Sequence, residues 1–144
     1  HFGIIDENRM KAIPDKGGSI PFGQGNEVEA IPAHFLHSPG NFAIYDANSG
    51  YLFTSDIGAA VFERDKYLFV EDFNAHLAIM EGFHTRYMSS NDACKKFVQA
   101  IRGKSIEAIA PQHGAIFPKE HVDKFLNWFE SLKCGVDIIE QIES

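Results

Sequence analysis

IPAHFLHSPGNFAIYD, residues 31–46, decides how this chain is read. An apolar stretch runs into His37, a Ser-Pro-Gly-Asn turn follows, and a second apolar stretch begins at Phe42. Proline fixes φ and glycine tolerates unusual dihedrals, so the turn holds the imidazole before it at a set angle. Residues 28–35 are expected as a strand that ends at His34 to His37. Residues 42–46 and 51–54 then form a hairpin across Ala47-Asn48-Ser49-Gly50. Asp56 stands at the exit of that hairpin, in LFTSDIG (52–58). APQHGAIF (110–117) repeats the arrangement: a short buried strand over 106–111, then His113 and Gly114, where the missing Cβ lets the backbone turn sharply.

The flanks are read the same way. Residues 1–27 are rich in turns, with short strands around 10–13 and 19–22 in a hairpin-like arrangement. Residues 66–73 are either a further strand or irregular. From Asn74 the period changes: Leu77, Met80, Phe83, His84 and Tyr87 recur at three- and four-residue steps, the pattern of an amphipathic helix. Ser90 is the N-cap of a second helix, with Phe97, Val98 and Ile101 on its apolar stripe and Gly103 at its end. Pro118 begins a last helix in its first turn, with Val122, Phe125, Leu126 and Phe129 on one face and Gly135 as its breaker. Strands, two helices, a strand and a helix predict an α/β (α+β) sheet with helices outside and functional loops along one edge.

Composition bounds the function. The 144 residues are 44% hydrophobic and 12% aromatic, enough for a core and too apolar for disorder. A net charge of −7 excludes a nucleic-acid partner, which needs a basic face. Cys94 and Cys134 lack CxxC spacing and read as buried or half-buried thiols in a reducing compartment. No run is apolar and long enough for a membrane span, and no signal peptide is visible, so a cytoplasmic protein without a membrane partner is expected. GxSxG, GxGxxG and Walker loops are absent, and neither cysteine has an activating histidine nearby in sequence.

Each candidate carries two readings. His37 is a metal ligand or a histidine bonded to its turn. Asp56 is a carboxylate able to bridge two cations, or an N-cap for the segment that follows. His113 is a ligand or a surface turn histidine. Together they are two imidazoles and a carboxylate at strand ends, a donor set for borderline divalent metals. His34 is a fallback ligand with a structural role favoured. His76 and His84 fall on the first long helix and His121 on the last. His84, with Arg86 and Tyr87, is an outer-shell candidate, though a solvated or core-edge role is favoured.

These stretches, together with FHTRYMSSN (83–91), resemble the metallo-β-lactamase superfamily. Within it they resemble the β-lactamase-like domain of flavodiiron proteins and of flavin-free oxygen-binding di-iron proteins. The likeness covers about residues 29–117. The family patterns are Leu-His-Trp-Pro, Ser-x-Asp-x-Phe-Gly and Pro-Ser-His-Gly-Pro-Ile, and the separation of 19 positions from His37 to Asp56 agrees with them. The departures are Ser38 in place of Trp and Asp56-Ile57-Gly58 in place of Asp-x-Phe-Gly. The resemblance implies an αββα sandwich of which residues 1–144 are about the second half. It also implies two iron ions: His37 on one, Asp56 bridging both, and His113 on the other. The family's N-terminal His-x-Glu/Asp-x-Asp cluster has no counterpart here.

The function implied is a non-haem di-iron protein that binds or reduces dioxygen, as a sensor or as a partner in O2 or NO reduction. Two other readings stay open. One is a dinuclear zinc hydrolase of the same fold, attacking its substrate with metal-bound hydroxide. The other is a metal-free scaffold or interaction domain. A Glu or Asp at the second position of the missing cluster favours iron, and a His there favours zinc. Half a sandwich exposes one flank of its core. The expected partners are therefore the missing N-terminal half, in cis or as another chain, and a second copy in a dimer. By itself the chain is expected to be poorly soluble or tightly associated.

Overall fold

The alternation of apolar side chains along the strands organises the computed structural model, which describes residues 12–61 and 67–144. Six strands lie side by side in chain order. They are β1 (Gly18–Phe22), β2 (Asn26–Pro32), β3 (Phe42–Asp46), β4 (Tyr51–Phe53), β5 (Ala108–Ala110) and β6 (Phe117–Pro118). Neighbours are antiparallel except β4 and β5, which are parallel. A parallel pair needs a long crossover. This one carries α1 (Phe73–Tyr87) and α2 (Asn91–Ile101). After β6 come α3 (Lys119–Ser131), a 3₁₀ turn (Gly135–Ile138) and the short α4 (Ile139–Glu143).

Successive side chains point to opposite faces of a sheet, so the register sorts them. Tyr45, Leu52, Ile109 and Phe117 pair across four strands and share one face. All four are buried, in one cluster with Met80 of α1, Phe97 and Val98 of α2, and Phe125 and Phe129 of α3. Ile44, Phe53 and Ala110 pair across the other face. There Phe53 is 47% exposed and Phe22, at the end of β1, 52%. The helices thus complete one side of the sheet and leave apolar side chains open on the other.

Local chemistry sets the helix starts. Asp72 caps α1 by accepting from the amides of Asn74 and Ala75, and Ser90 caps α2 by accepting from Ala93. α2 starts after its expected cap Ser90, α1 starts at Phe73, one residue before the expected Asn74, and Val122, Phe125, Leu126 and Phe129 are on the buried face of α3.

Several boundaries differ. The strand expected over 28–35 ends at Pro32, because residues 33–41 fold on themselves instead of pairing with a neighbour. β1 pairs with β2; of the strand expected around 10–13, residues 10 and 11 lie outside the described residues, as does His1, and residues 12 and 13 are irregular. Of 66–73, Lys66 lies outside them too. Residues 67–72 are irregular, with one bridge from Phe69 to Ile116. Pro118 closes β6, an unexpected strand, and is the N-cap of α3, one place before the first-turn position.

Candidate metal centre

His37 sits in a tightly bonded loop between β2 and β3. Ala33 N–H donates to Asn41 O (2.9 Å), Leu36 N–H to Ala33 O (3.1 Å) and Phe35 N–H to Ser38 O (2.8 Å). The Asn41 side-chain amide donates to Leu36 O. Phe35 takes a left-handed φ of 64° to close the loop, and the Leu36–His37 peptide is cis. Leu36 is wholly buried while its neighbour His37 is exposed, so an apolar anchor holds a ring turned outward. Two rings of α1 wall the imidazole: Phe83 edge-on at 5.8 Å and Tyr87 at 6.0 Å. Residues four apart on a helix share a face, so 83 and 87 act together.

Asp56 stands in the turn after β4, which is built by Thr54. Thr54 accepts from Ile57 N–H through its carbonyl (3.0 Å) and donates to Ile57 O through its hydroxyl (2.6 Å). Ser55 adopts φ 53°, a left-handed conformation rare for a residue with a side chain. The turn aims the carboxylate back along the sheet edge, and Asp56 Oδ2 comes within 3.4 Å of His37 Nε2. Both groups are partly open to solvent.

The turn is also held from below. Gly58 N–H donates to His84 Nε2 at 2.8 Å, and His84 Nδ1–H donates to Met80 O at 2.8 Å. A carbonyl only accepts, so the proton lies on Nδ1 and the ring is neutral. Burial pushes the His84 pKa down to about 4. His84 is fully buried, which overturns the solvated or core-edge reading and leaves the outer-shell one. A side chain at Gly58 (φ 92°) would press on Phe117, so the amide comes this close only with glycine.

The His113 loop is sewn to the Asp56 turn by backbone alone. Thr54 N–H donates to Ala110 O (3.2 Å), Gln112 N–H to Ser55 O (2.7 Å) and Ala60 N–H to His113 O (3.1 Å). Gly114 (φ 109°) lies so close that a Cβ there would meet Ala60 N at 2.9 Å. The His113 side chain is exposed.

The structure therefore brings His37 and Asp56 together and leaves His113 on the adjoining loop. Among the described residues, no three His, Cys, Asp or Glu side chains gather closely enough to hold a metal ion. The other described histidines make contacts within the fold. His34 meets Asp15 O at 2.7 Å and Phe42 edge-on, a structural role. His76 meets the Tyr67 hydroxyl, and His121 meets Glu71 O. Sequence reading missed the ring wall of Phe83 and Tyr87, although their four-residue spacing was its signal. Among the described residues, no helix is long and apolar enough to cross a membrane.

The family model of ODP-family β-lactamase domains matches residues 1–114. A structure of the peroxy di-iron species of the chemotaxis sensor ODP is 52% identical, with a TM-score of 0.89, over 97% of this chain and 60% of that one. The apo state of the chemotaxis sensor ODP from T. denticola is 53% identical, with a TM-score of 0.89, over 96% of this chain and 57% of that one. The chain thus spans about 60% of the length of the sensor chains it matches. A flavo di-iron protein from Thermotoga maritima, 20% identical with a TM-score of 0.72 over 84% of this chain and 30% of that one, shares the fold. No curated protein sequence matches the chain. These likenesses bear out the metallo-β-lactamase-like α/β fold expected from residues 31–46 and its neighbouring motifs.

Proposed function

This chain belongs to the ODP family of β-lactamase-type domains, and from that premise we propose that it forms part of a non-haem di-iron site that binds dioxygen. One observation carries the reading: an imidazole and a carboxylate from two separate loops meet at 3.4 Å on one sheet edge. Nitrogen and carboxylate donors suit iron and zinc alike. His37, Asp56 and His113 would be the residues of this chain that hold the two ions. Iron, when bound, supplies the electrons that dioxygen binding or reduction requires.

The chain's own residues prepare that site. Phe83 and Tyr87 limit the swing of the His37 ring, and His84 fixes the turn that presents Asp56. The hydrogen bonds between the Asp56 and His113 loops limit how far those two donors can separate. Such support orients ligands and tunes the metal. The remaining ligands would come from an N-terminal half of the domain, in cis or as another chain, seated on the sheet face that carries Ile44 and Phe53. Its apolar, half-open character supports this. The likeness to chemotaxis sensors favours a sensor over a reductase.

Elemental analysis of the protein carrying the complete domain tests the reading. Two irons per site, with an optical change on admitting O2, is the expected result. Two zincs would replace it with a hydrolase of the same fold, and a folded protein without metal would replace it with a scaffold.

A further inference from the structure

Two thiols lie far from the metal edge in sequence yet face each other in the core. Cys94, in the second turn of α2, and Cys134, just after α3, are both wholly buried, with Sγ atoms 3.8 Å apart. Cys134 opens a C-terminal segment whose remaining residues, 135–144, are all at least partly exposed. That segment is fastened at one place. Val136 N–H donates to Ser89 O (2.9 Å), and Asp137 Oδ2 accepts from the Asn91 amide (2.6 Å) and the Cys134 amide (3.2 Å). Gly135 (φ 52°) packs so closely that a Cβ would fall 2.2 Å from Ser89 O. On its other side, Ser89 N–H donates to Phe35 O (3.2 Å), in the loop that presents His37.

We propose that Cys94 and Cys134 are a peroxide-oxidisable dithiol whose disulfide tightens this latch against the His37 loop. The inference rests on the thiol pair and its surroundings, not on the metal reading.

A disulfide requires the sulfurs at about 2.05 Å, so closing the gap draws Cys134 toward α2. The segment bonded to Ser89 follows, held more firmly against Ser89 and the His37 loop behind it. The two thiols are unequal. The two sulfurs share one hydrogen bond in which either thiol can donate, and it separates them, holding the Cys134 thiol down and the Cys94 thiol up; burial and Asp137 raise both, and Lys133 lowers Cys134. Cys134 is therefore the attacking group, since the thiolate is the nucleophile. Its sulfur attacks one oxygen of hydrogen peroxide. An S–O bond forms, the O–O bond breaks, and the departing hydroxide takes up the thiol proton as water. Cys94 then attacks the sulfenic sulfur of Cys134. The S–S bond forms, the S–O bond breaks, and hydroxide leaves with the Cys94 proton as a second water. Two thiols are oxidised by two electrons and one peroxide is reduced to two waters. Complete burial favours a small oxidant over a bulky disulfide.

The test treats the reduced full chain with hydrogen peroxide, or separately with glutathione disulfide, then alkylates and measures intact mass and linked peptides. The expected result with peroxide is the loss of both alkylatable thiols, a mass lower by two hydrogens and a Cys94–Cys134 linked peptide, all reversed by a dithiol. Glutathione disulfide is expected to leave both thiols free. In Cys94→Ser, a dimedone adduct should accumulate at Cys134. Amide exchange at Ser89 should slow about tenfold or more in the disulfide form, because a tightened latch opens less often. Thiols still alkylatable after peroxide, or oxidised without the linked peptide, would overturn the pair. A linked pair with unchanged or faster Ser89 exchange would overturn the latch. The first readout uses the unaltered chain, so it does not depend on a variant folding.

Discussion

His84 Nε2 accepts the amide hydrogen of Gly58 at 2.8 Å, so a wholly buried neutral imidazole ties α1 to the turn that presents Asp56. One ring joins the core to the site edge, and both are sensitive to its protonation.

Acidification should therefore loosen the fold. Burial lowers the folded-state pKa of His84 from 6.5 to about 4, so the unfolded chain takes up the proton first as pH falls. The stability this group contributes is fully present above pH 6.5 and is lost as pH falls toward 4. The amount is about 3 kcal/mol, an order-of-magnitude figure. Urea unfolding at pH 7 and at pH 4.5 should show the fall, and His84→Phe should remove most of its slope. An unchanged slope in the variant would assign the acid sensitivity elsewhere.

At pH 7 the same His84→Phe substitution leaves the Gly58 amide buried without its acceptor. A cost of about 1–3 kcal/mol is expected. The carboxylate would also be less well placed, so metal content should drop alongside stability. Elemental analysis beside a denaturation curve separates the two effects.

Asp56→Asn tests the ligand without disturbing the core. About a quarter of the side chain is open to solvent and its ion-pair partner His37 is exposed, so stability should shift by no more than about 1 kcal/mol. Metal content of the complete domain should fall steeply, as it should in His37→Ala. Full metal loading in both variants would remove these residues from the ligand set.

Gly135→Ala should destabilise the chain, because the new Cβ would fall 2.2 Å from Ser89 O at a φ of 52°. A loss above about 1 kcal/mol is expected. Gly103→Ala is the control, since its Cβ would meet nothing within 4 Å. Equal melting temperatures for the two variants would contradict the packing.

The open sheet face should govern association. Phe53 exposes about half its surface there, on the face it shares with Ile44 and Ala110, and exposed apolar side chains on an uncovered sheet face mark contact surfaces. Light scattering on the isolated chain should find an associated species, and Phe53→Asp should lower its mass. An unchanged mass would place the contact elsewhere.

Much of this was legible in the sequence because it depends on neighbours along the chain. Ser90 as an N-cap, the stripe of α3 and the Ala47–Gly50 turn are local, as are the strand-end positions of Asp56 and His113. The end of β2 was misjudged because residues 33–36 are as apolar as a strand. Their fate depends on bonds to Ser38 and Asn41 that close a loop, and periodicity does not record these. His84 was misjudged because a histidine on a helix reads as solvated until its neighbours are known; here they are Trp128 and Phe129, some forty residues on.

The sequence by itself determined the fold class, the three long helices and the turns that carry Asp56 and His113, since periodicity, capping and turn chemistry are written in adjacent residues. Only the tertiary structure decided which donors meet. His37 and Asp56 approach because β3 and β4 pair and the loop and turn beside them converge on one edge, a distance set by register and not by spacing. The same packing set two cysteines, forty residues apart, within 3.8 Å of each other.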